Sequence, residues 1–241
     1  MVHYFKHPLD YCWERVRRAE EHIAEFEREV MSMHEKQAQA VPFDLDPNPP
    51  HAAINIGMPP ETFAGVRFGT LVGETVYNLR CALDYLVFEL AKLDSGSEQE
   101  RTQFPIMDTA QDFVGWKERM LKGVNAGHIA CIERLQPYSG CDWTRLLRDL
   151  SNMDKHKQII SGTGIMKCHV HSGLSTDLSR ISGAFDRDAK HPLTGEDVDV
   201  KIHIAGDVSF TEGMTAYPAI HTLSELRTGV AQTLRDFEPE F

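Results

Sequence analysis

Apolar residues recur at three- and four-residue intervals in two long stretches of the chain, which is the pattern of helices with one buried face. In residues 9–36, charged residues fill the remaining positions, and we expect this helix to end before Pro42. In residues 61–93 the apolar stripe is wider, and Pro60 suits the first turn of a helix. Shorter helices are predicted over residues 110–121, 127–136, 142–156 and 217–237.

Residues 157–212 follow a different pattern. Their β-branched residues alternate in part with polar ones and are interrupted by glycines, which predicts three or four antiparallel strands. Helices, then strands, then a helix indicate the α+β class: a helical bundle with a small antiparallel β-sheet inserted before the C-terminal helix. No linker is long or polar enough to divide the chain. We therefore expect a single domain over 1–241, with the bundle in 1–156 and the C-terminal helix in 217–238.

Three glycines lie four residues apart in the second predicted helix: Gly65, Gly69 and Gly73. This spacing places them along one edge of the helix. Each costs about 1 kcal/mol relative to alanine in a helix interior. We therefore expect another backbone to pack closely against this edge within the bundle.

The charge balance and the cysteines limit the function classes. The chain has 36 acidic and 25 basic residues and a formal charge of −11. Sequence-independent binding of duplex DNA needs many basic residues to replace counterions, so we expect no such binding. The sequence contains no apolar run of about 18 residues, so we expect no membrane-spanning helix. The five cysteines never form a Cys-x-x-Cys pair, which favours a reduced, cytoplasmic protein over a disulfide scaffold.

Motifs for cofactors and metals are also missing from the sequence. It contains no P-loop, dinucleotide-binding, nucleophile-elbow or zincin motif, and we expect no cofactor. His169 and His171 share one face of a predicted strand, and His203 belongs to another predicted strand. Three imidazoles suffice for zinc or iron. Because the chain has 12 histidines, such groupings arise by coincidence, and we expect a solvated strand face and no metal.

The second predicted helix carries the densest polar pattern. Arg80 and Asp84 are one turn apart and share a helix face, and Asn78 lies close to them in sequence. Asp84 stands among leucines, where an isolated carboxylate would be costly to bury, so it requires a basic partner. A structural ion pair is the leading interpretation, and a functional acid is the alternative.

A second polar cluster lies at the end of the predicted helix 142–156. Asn152 and His156 are four residues apart, with Asp154 and Lys155 between them. These side chains are suited to binding a phosphate or carboxylate, or to placing His156 as a general base that Asp154 orients. Alternatively, the cations complement the helix dipole, and the Asn and Asp residues cap the helix or turn the chain.

Four ordered blocks carry a resemblance to a known group of sequences. They read GETVYNLRCALDYLVFELA, TQFPI, IERLQPY and LRDLSNMDKHK. Together they resemble a widespread, uncharacterised family of bacterial and phage-borne hypothetical proteins, over about residues 70–160. The sequence departs from the family pattern at Cys81, Tyr85 and Lys157, where serine, histidine and arginine are usual. The resemblance implies a family and carries no assigned activity.

A more remote resemblance is to the HEPN superfamily of helical bundles. Many of its members are metal-independent RNases with an Arg-x4-6-His motif, and Arg17 and His22 have that spacing. Here the match lies in the first predicted helix, whereas the superfamily motif usually lies late in the bundle. One such spacing is expected by chance in a chain with this many arginines and histidines.

The leading hypothesis is a ligand- or partner-binding protein with a polar pocket between two segments. One segment is helix 61–93, with Asn78, Arg80 and Asp84 as binding residues; the other is the NMDKH segment, residues 152–156. From the latter we expect Asn152 and Lys155 to bind, and Asp154 and His156 to act if there is catalysis. The ligand is a small molecule, RNA or protein, with self-association expected.

Two alternatives remain open at this stage. The first is a HEPN-type metal-independent RNase or nucleotide-acting enzyme of the toxin or phage-defence kind, which would use His156 or His22 in a basic cleft. The second is a purely structural interaction module, in which the polar clusters are internal ion pairs. The sequence leaves open whether the protein is an enzyme.

Overall fold

A computed structural model describes most of the chain. The backbone is described for residues 7–40, 43–45, 54–56, 66–156, 165–172, 200–207, 209–212 and 215–241, and the side chains for 7–32, 67–152 and 219–241. Six α-helices occur in the described part: α1 (Asp10–Ala40), α2 (Val66–Ser95), α3 (Ala110–Met120), α4 (Ala126–Arg134), α5 (Asp142–His156) and α6 (Ala219–Phe237). They correspond to the helices that the apolar periodicity predicts, with bounds that differ by a few residues.

The chain divides into two compact units. One contains Met1–Glu27, Ala64–Ser161 and Phe210–Phe241, and the other contains Arg28–Phe63 and Gly162–Ser209. The first unit holds α2 to α6 and most of α1, and it contains the candidate site. The single-domain organisation stays a prediction.

Helix α2 is central to the first unit because its apolar stripe is buried. Val72, Val76 and Leu79 have no solvent exposure, and the stripe continues through Leu83 to Leu90. Helix α2 packs against α5 and α6. Removing this much apolar surface from water is the main favourable term for association of the helices. The core also includes fully buried side chains from the other elements, among them Phe26, Phe104, Phe113, Ile132, Leu147 and Leu234.

The predicted α+β class, with a β-sheet inserted before the C-terminal helix, is wrong. Of the residues whose side chains are described, 80% are helical and none lies in a strand. The described strands are β1 (Phe43–Leu45), β2 (Ile54–Ile56), β3 (Ile165–Ser172), β4 (Val200–Asp207), β5 (Ser209–Glu212) and β6 (Thr215–Pro218). They form three separate two-stranded ladders, β1–β2, β3–β4 and β5–β6.

The error has a physical reason. A two-residue alternation specifies which face of a strand is apolar, but it does not specify which strands are neighbours. The β3–β4 ladder is antiparallel, and its register places His169 opposite His203. In the described part of the chain no third strand extends this ladder, so the predicted sheet of three or four strands is absent there, and the residues with described side chains are mostly helical.

Two glycines in helices have opposite surroundings. A Cβ atom built on Gly69 of α2 would meet no atom within 4 Å, so the predicted close backbone approach does not occur at this glycine. A Cβ atom on Gly229 of α6 would lie 2.7 Å from both Cδ2 and Cε2 of Trp143. These atoms form the fused bond of the indole, which a neighbour can approach only over the ring face. Trp143 therefore lies flat against α6 at Gly229.

None of the helices in the described part of the chain combines the length and the apolar character needed to cross a bilayer.

Candidate functional site on helices α2, α5 and α6

Arg80 and Asp84 of α2 bind the two backbone polar groups of one residue, Phe104. The Phe104 amide donates a 2.9 Å hydrogen bond to Oδ1 of Asp84, and Arg80 donates to the Phe104 carbonyl. The two side chains are 3.5 Å apart, as the four-residue spacing predicts. Phe104 is fully buried in a segment without regular secondary structure. The ion pair therefore supplies hydrogen bonds that a helix or sheet would otherwise provide.

The buried charge of Arg80 is only partly compensated by its surroundings. Its side chain is 14% exposed, and within the described part of the chain its Nη1 is buried without a hydrogen-bond acceptor. Burial lowers the pKa of Arg80, while the Asp84 carboxylate opposes that shift and Arg148 of α5 adds to it. Because Arg148 is close enough to affect the pKa of Arg80, α5 lies beside this part of α2. Asp84 is therefore the countercharge of a buried cation.

Two further side chains bind the residues that follow Phe104. Gln136 is fully buried; its Nε2 donates to the Pro105 carbonyl at 2.9 Å, and its Oε1 accepts from the Met107 amide at 2.9 Å. Arg148 of α5 donates to Asp108 at 2.8 Å. We call residues 103–108 the QFPIMD segment. The Gln103 amide donates to the Met120 carbonyl of α3 at 2.9 Å. Four regions of the first unit thus hold the segment: α2, α3, the turn that follows α4, and α5.

Residues of the four ordered sequence blocks named above meet at this segment, while the family resemblance drawn from these blocks stays a prediction. NLRCALD contributes Arg80 and Asp84, IERLQPY contributes Gln136, LRDL contributes Arg148, and TQFPI supplies most of the segment itself. The polar residues Arg80, Asp84, Gln136 and Arg148 of these blocks therefore form hydrogen bonds within the fold. The NMDKH segment is the remaining part, and it continues α5 beyond Arg148.

Asn78 points in a different direction from the other two predicted α2 residues. Its Oδ1 accepts a 3.0 Å hydrogen bond from Arg15 of α1, and its Nδ2 donates to the Glu74 carbonyl at 2.8 Å. Two residues along a helix correspond to a rotation of about 200°. Asn78 therefore faces α1, and the structure does not bring it together with Arg80 and Asp84.

Arg15 organises an aromatic cluster on the surface between α1 and α2. Its guanidinium lies 5.5 Å from the ring centre of Tyr85 and 6.0 Å from that of Tyr77. It also donates to the Tyr85 hydroxyl at 3.3 Å. This hydrogen bond raises the pKa of Arg15, because it stabilises the charged form. Pairs between helices have no fixed sequence spacing, so the pattern did not reveal this cluster.

The second predicted cluster is described only in part. Asn152 lies in α5 and is exposed. Helix α5 continues through Asp154 and Lys155 and ends at His156, where the predicted helix ends. The side chains of these three residues lie outside the described part. Their meeting with Asp84 in one pocket stays a prediction.

A cavity of about 870 Å³ lies between α5 and α6. This volume is within the range of sites for small organic molecules. Its lining combines apolar, hydroxyl and charged side chains: Asp142, Trp143, Arg145, Leu146, Asp149, His221, Thr222, Ser224, Glu225, Leu226 and Thr228. We call it the α5–α6 groove. The predicted binding residues whose side chains are described, Asn78, Arg80, Asp84 and Asn152, do not line it.

The groove is connected to the QFPIMD segment through adjacent residues of α5. Asp149 lines the groove and accepts a 2.8 Å hydrogen bond from Nε of Arg148. The other end of the same guanidinium donates to Asp108. Burial lowers the pKa of Arg148, but its hydrogen bonds to Asp149 and Asp108 outweigh burial and raise it. A permanently charged arginine thus links the groove wall to the segment.

Asp94 and His128 form a buried acid–histidine pair that the sequence pattern did not predict. Asp94, at the end of α2, lies 2.8 Å from Nδ1 of His128 and accepts hydrogen bonds from the amide and side chain of Asn125, at 2.8 and 2.7 Å. Nε2 of His128 lies 3.6 Å from Glu240. Burial raises the pKa of Asp94, but the hydrogen bonds from Asn125 and His128 outweigh it and lower the pKa. Asn125, the N-cap of α4, was the visible sequence signal.

The Arg-x4-His match does not form a shared site. Arg17 is more than half exposed and pairs with Glu14 and Glu21 on its own helix. His22 is mostly buried, and its Nδ1 lies 3.3 Å from Glu74 of α2. Five residues along a helix correspond to a rotation of about 140°, which separates the two side chains.

The chain has no recognisable relative among known proteins by sequence or by structure. No family model matches the chain, and no curated protein or solved structure shows a significant match to it. Among the side chains that the structure describes, no three histidine, cysteine, aspartate or glutamate residues are grouped as metal ligands.

Proposed function

We propose that the protein is a ligand- or partner-binding protein and that its binding site is the α5–α6 groove. The cavity of about 870 Å³ carries this proposal. Trp143, Leu146 and Leu226 provide apolar surface, and charged and hydroxyl groups provide orientation. Eight of the eleven lining residues are charged or polar, but apolar atoms form most of the wall surface, as in small-molecule sites. The NMDKH segment follows the groove residues on α5, and the binding role expected for it stays a separate proposal.

The test is a binding experiment on the full chain labelled with 5-fluorotryptophan. The chain has three tryptophans, so its fluorine spectrum has few signals, and Trp143 is assigned by Trp143→Phe. Benzylamine, benzoate, benzyl alcohol and spermidine are titrated to millimolar concentration. We expect at least one probe to shift the Trp143 signal saturably while Trp13 and Trp116 stay unchanged. A Trp143 signal that no probe shifts would overturn the proposal.

A second candidate function is a structural interaction module, favoured by the role of Arg80 and Asp84. Both side chains are engaged with the Phe104 backbone, which is what internal ion pairs in such a module would do. This candidate predicts that the Arg80→Met, Asp84→Leu double variant keeps its fold and that no probe occupies the groove. Saturable binding at Trp143 would reject it.

The RNase alternative, the compartment and the oligomeric state remain proposals with simple tests. RNA cleavage that disappears on His156→Ala would replace the binding proposal with the enzymatic one.

The expected reducing cytoplasm is supported by the free thiols of the described part of the chain: Cys12, Cys81, Cys131 and Cys141. Self-association is tested by sedimentation, where a monomer at high concentration would exclude it.

A further inference from the structure

We infer that the α5–α6 groove binds an organic ammonium group attached to an apolar or aromatic body. This inference rests on the proposed function and names the chemical class of the ligand. Two properties of the groove lead to it: the excess of carboxylates among its charged residues, and the indole of Trp143 in its wall.

The charges in the groove favour a cation. Asp142, Asp149 and Glu225 line it, against a single permanent cation, Arg145. Arg145 lies 3.4 Å from Asp142 and so compensates one carboxylate. Among the described side chains, the ion-pair partner of Glu225 is an imidazole, with Nε2 of His221 at 3.3 Å. Arg148, outside the lining, also pairs with Asp149, so the remaining excess of negative charge in the lining lies mainly at Glu225; the chain as a whole has a formal charge of −11. Both the groove lining and the chain as a whole would therefore repel an anionic ligand.

Asp149 is the carboxylate best placed to hold an ammonium group. Its side chain is 23% exposed, whereas that of Glu225 is 62% exposed. Water and salt screen an exposed charge more than a partly buried one. Asp149 accepts one described hydrogen bond, from Arg148, and a carboxylate has several acceptor positions. A second donor can therefore bind without displacing Arg148.

Trp143 provides the aromatic surface for binding the ligand. Gly229 lies against the fused bond of its indole, and Trp143 also lines the groove. Tryptophan is the aromatic side chain that attracts cations most strongly. Leu146 and Leu226 add apolar surface for the body of the ligand. The groove thus offers a charge partner and a hydrocarbon surface to the same molecule.

The first experiment compares probes of equal shape and different charge on the full chain. Benzylamine, benzyl alcohol and benzoate are titrated while the fluorine signal of Trp143 is followed. We expect benzylamine to bind about tenfold more tightly than benzyl alcohol, and benzoate not to bind. Tighter binding of benzyl alcohol or benzoate would overturn the ammonium inference and leave the proposed function standing. Failure of all three probes and of spermidine would overturn both.

The second experiment uses variants and calorimetric titration of benzylamine. Asp149→Asn keeps an acceptor for Arg148 and removes the charge, so we expect about fivefold weaker binding; Glu225→Gln should weaken it about twofold, because this residue is more exposed. The matched control is Asp236→Asn, an exposed carboxylate of α6 outside the groove, which should leave the affinity unchanged. Equal affinities in all three variants would contradict the inference.

The ammonium group can come from a free amine or from a lysine side chain of a partner protein. Spermidine and a short peptide with one central lysine separate these sources, with the same peptide carrying norleucine as the control. Tighter binding of spermidine indicates a free polyamine, and tighter binding of the lysine peptide indicates a protein. If the norleucine peptide binds as well as the lysine peptide and spermidine does not bind, the inference is wrong.

Discussion

Asp84 and Phe104 are joined by a 2.9 Å hydrogen bond from the Phe104 amide to the Asp84 carboxylate, while Arg80 binds the carbonyl of the same residue. A buried residue outside any helix or strand needs partners for both backbone groups. Here one ion pair of α2 supplies both. Asp84 therefore has two roles, since it accepts from the backbone and neutralises the buried Arg80.

Asp84→Ala should lower the free energy of unfolding by about 2 kcal/mol. Breaking a buried pair costs about 3–5 kcal/mol because the remaining charge is uncompensated, and we reduce that figure because Asp84 is partly exposed. Urea unfolding measures the change. Asp84→Asn, which keeps an acceptor oxygen, should lose about half as much. The control Asp236→Ala, at an exposed position of α6, should stay within about 0.5 kcal/mol of wild type. A fully stable Asp84→Ala protein would show that the pair is dispensable.

Gln136→Leu should cost about 3 kcal/mol of unfolding free energy. The fully buried amide of Gln136 satisfies the Pro105 carbonyl and the Met107 amide. Leucine would leave both unpaired, at about 1–3 kcal/mol each. Chemical denaturation gives the value, and Gln111→Leu, at an exposed site of α3, is the control with little expected change. Similar stability of the two variants would mean that water replaces the Gln136 side chain.

Two glycine substitutions should have opposite effects. Gly69→Ala should stabilise the protein by about 0.5–1 kcal/mol, because alanine is the better helix former and its methyl group has open space. Gly229→Ala should destabilise it by about 1–3 kcal/mol, because its methyl group would overlap the Trp143 ring. Thermal unfolding of both variants checks the pair. A more stable Gly229→Ala protein would show that Trp143 moves freely.

Asp94 should make stability depend on pH below about 4. Its hydrogen bonds with Asn125 and His128 outweigh burial and lower the pKa of Asp94 in the folded protein. The contribution of Asp94 to the free energy of unfolding is therefore full above its unfolded pKa of about 3.9, and it is lost as the pH falls through the folded pKa. Asp94→Asn should therefore cost about 1–2 kcal/mol at pH 7 and progressively less as the pH is lowered from 4 to 3. Urea unfolding at several pH values tests this. A deficit that does not vary with pH would mean that the charge is irrelevant.

The helices and one ion pair were predictable because both depend on spacing within a helix. Three- and four-residue intervals located α2 and α5, and the four-residue step placed Arg80 beside Asp84. The same geometry explains why Asn78 is elsewhere, since a two-residue step turns to the other side of the helix. The inserted sheet was a wrong prediction because alternation does not determine strand pairing.

The contacts that build the candidate site could not be predicted because they join distant residues. The Gln136–Met107 bond spans 29 residues, and the Asp94–His128 contact spans 34. Nothing in the local pattern of either partner indicates the other. Likewise, Trp143 and Glu225 line one groove only because α5 packs against α6.

The way in which the QFPIMD segment is held has a consequence for hydrogen exchange. Amide protons in irregular segments usually exchange quickly with solvent deuterium, because small local openings expose them. The amides of Phe104 and Met107, however, donate to Asp84 and Gln136, which belong to separate parts of the chain. Neither proton can be released without detaching the segment from α2 or from the end of α4. Their exchange should therefore be as slow as that of the amides inside helix α2, although no helix contains them.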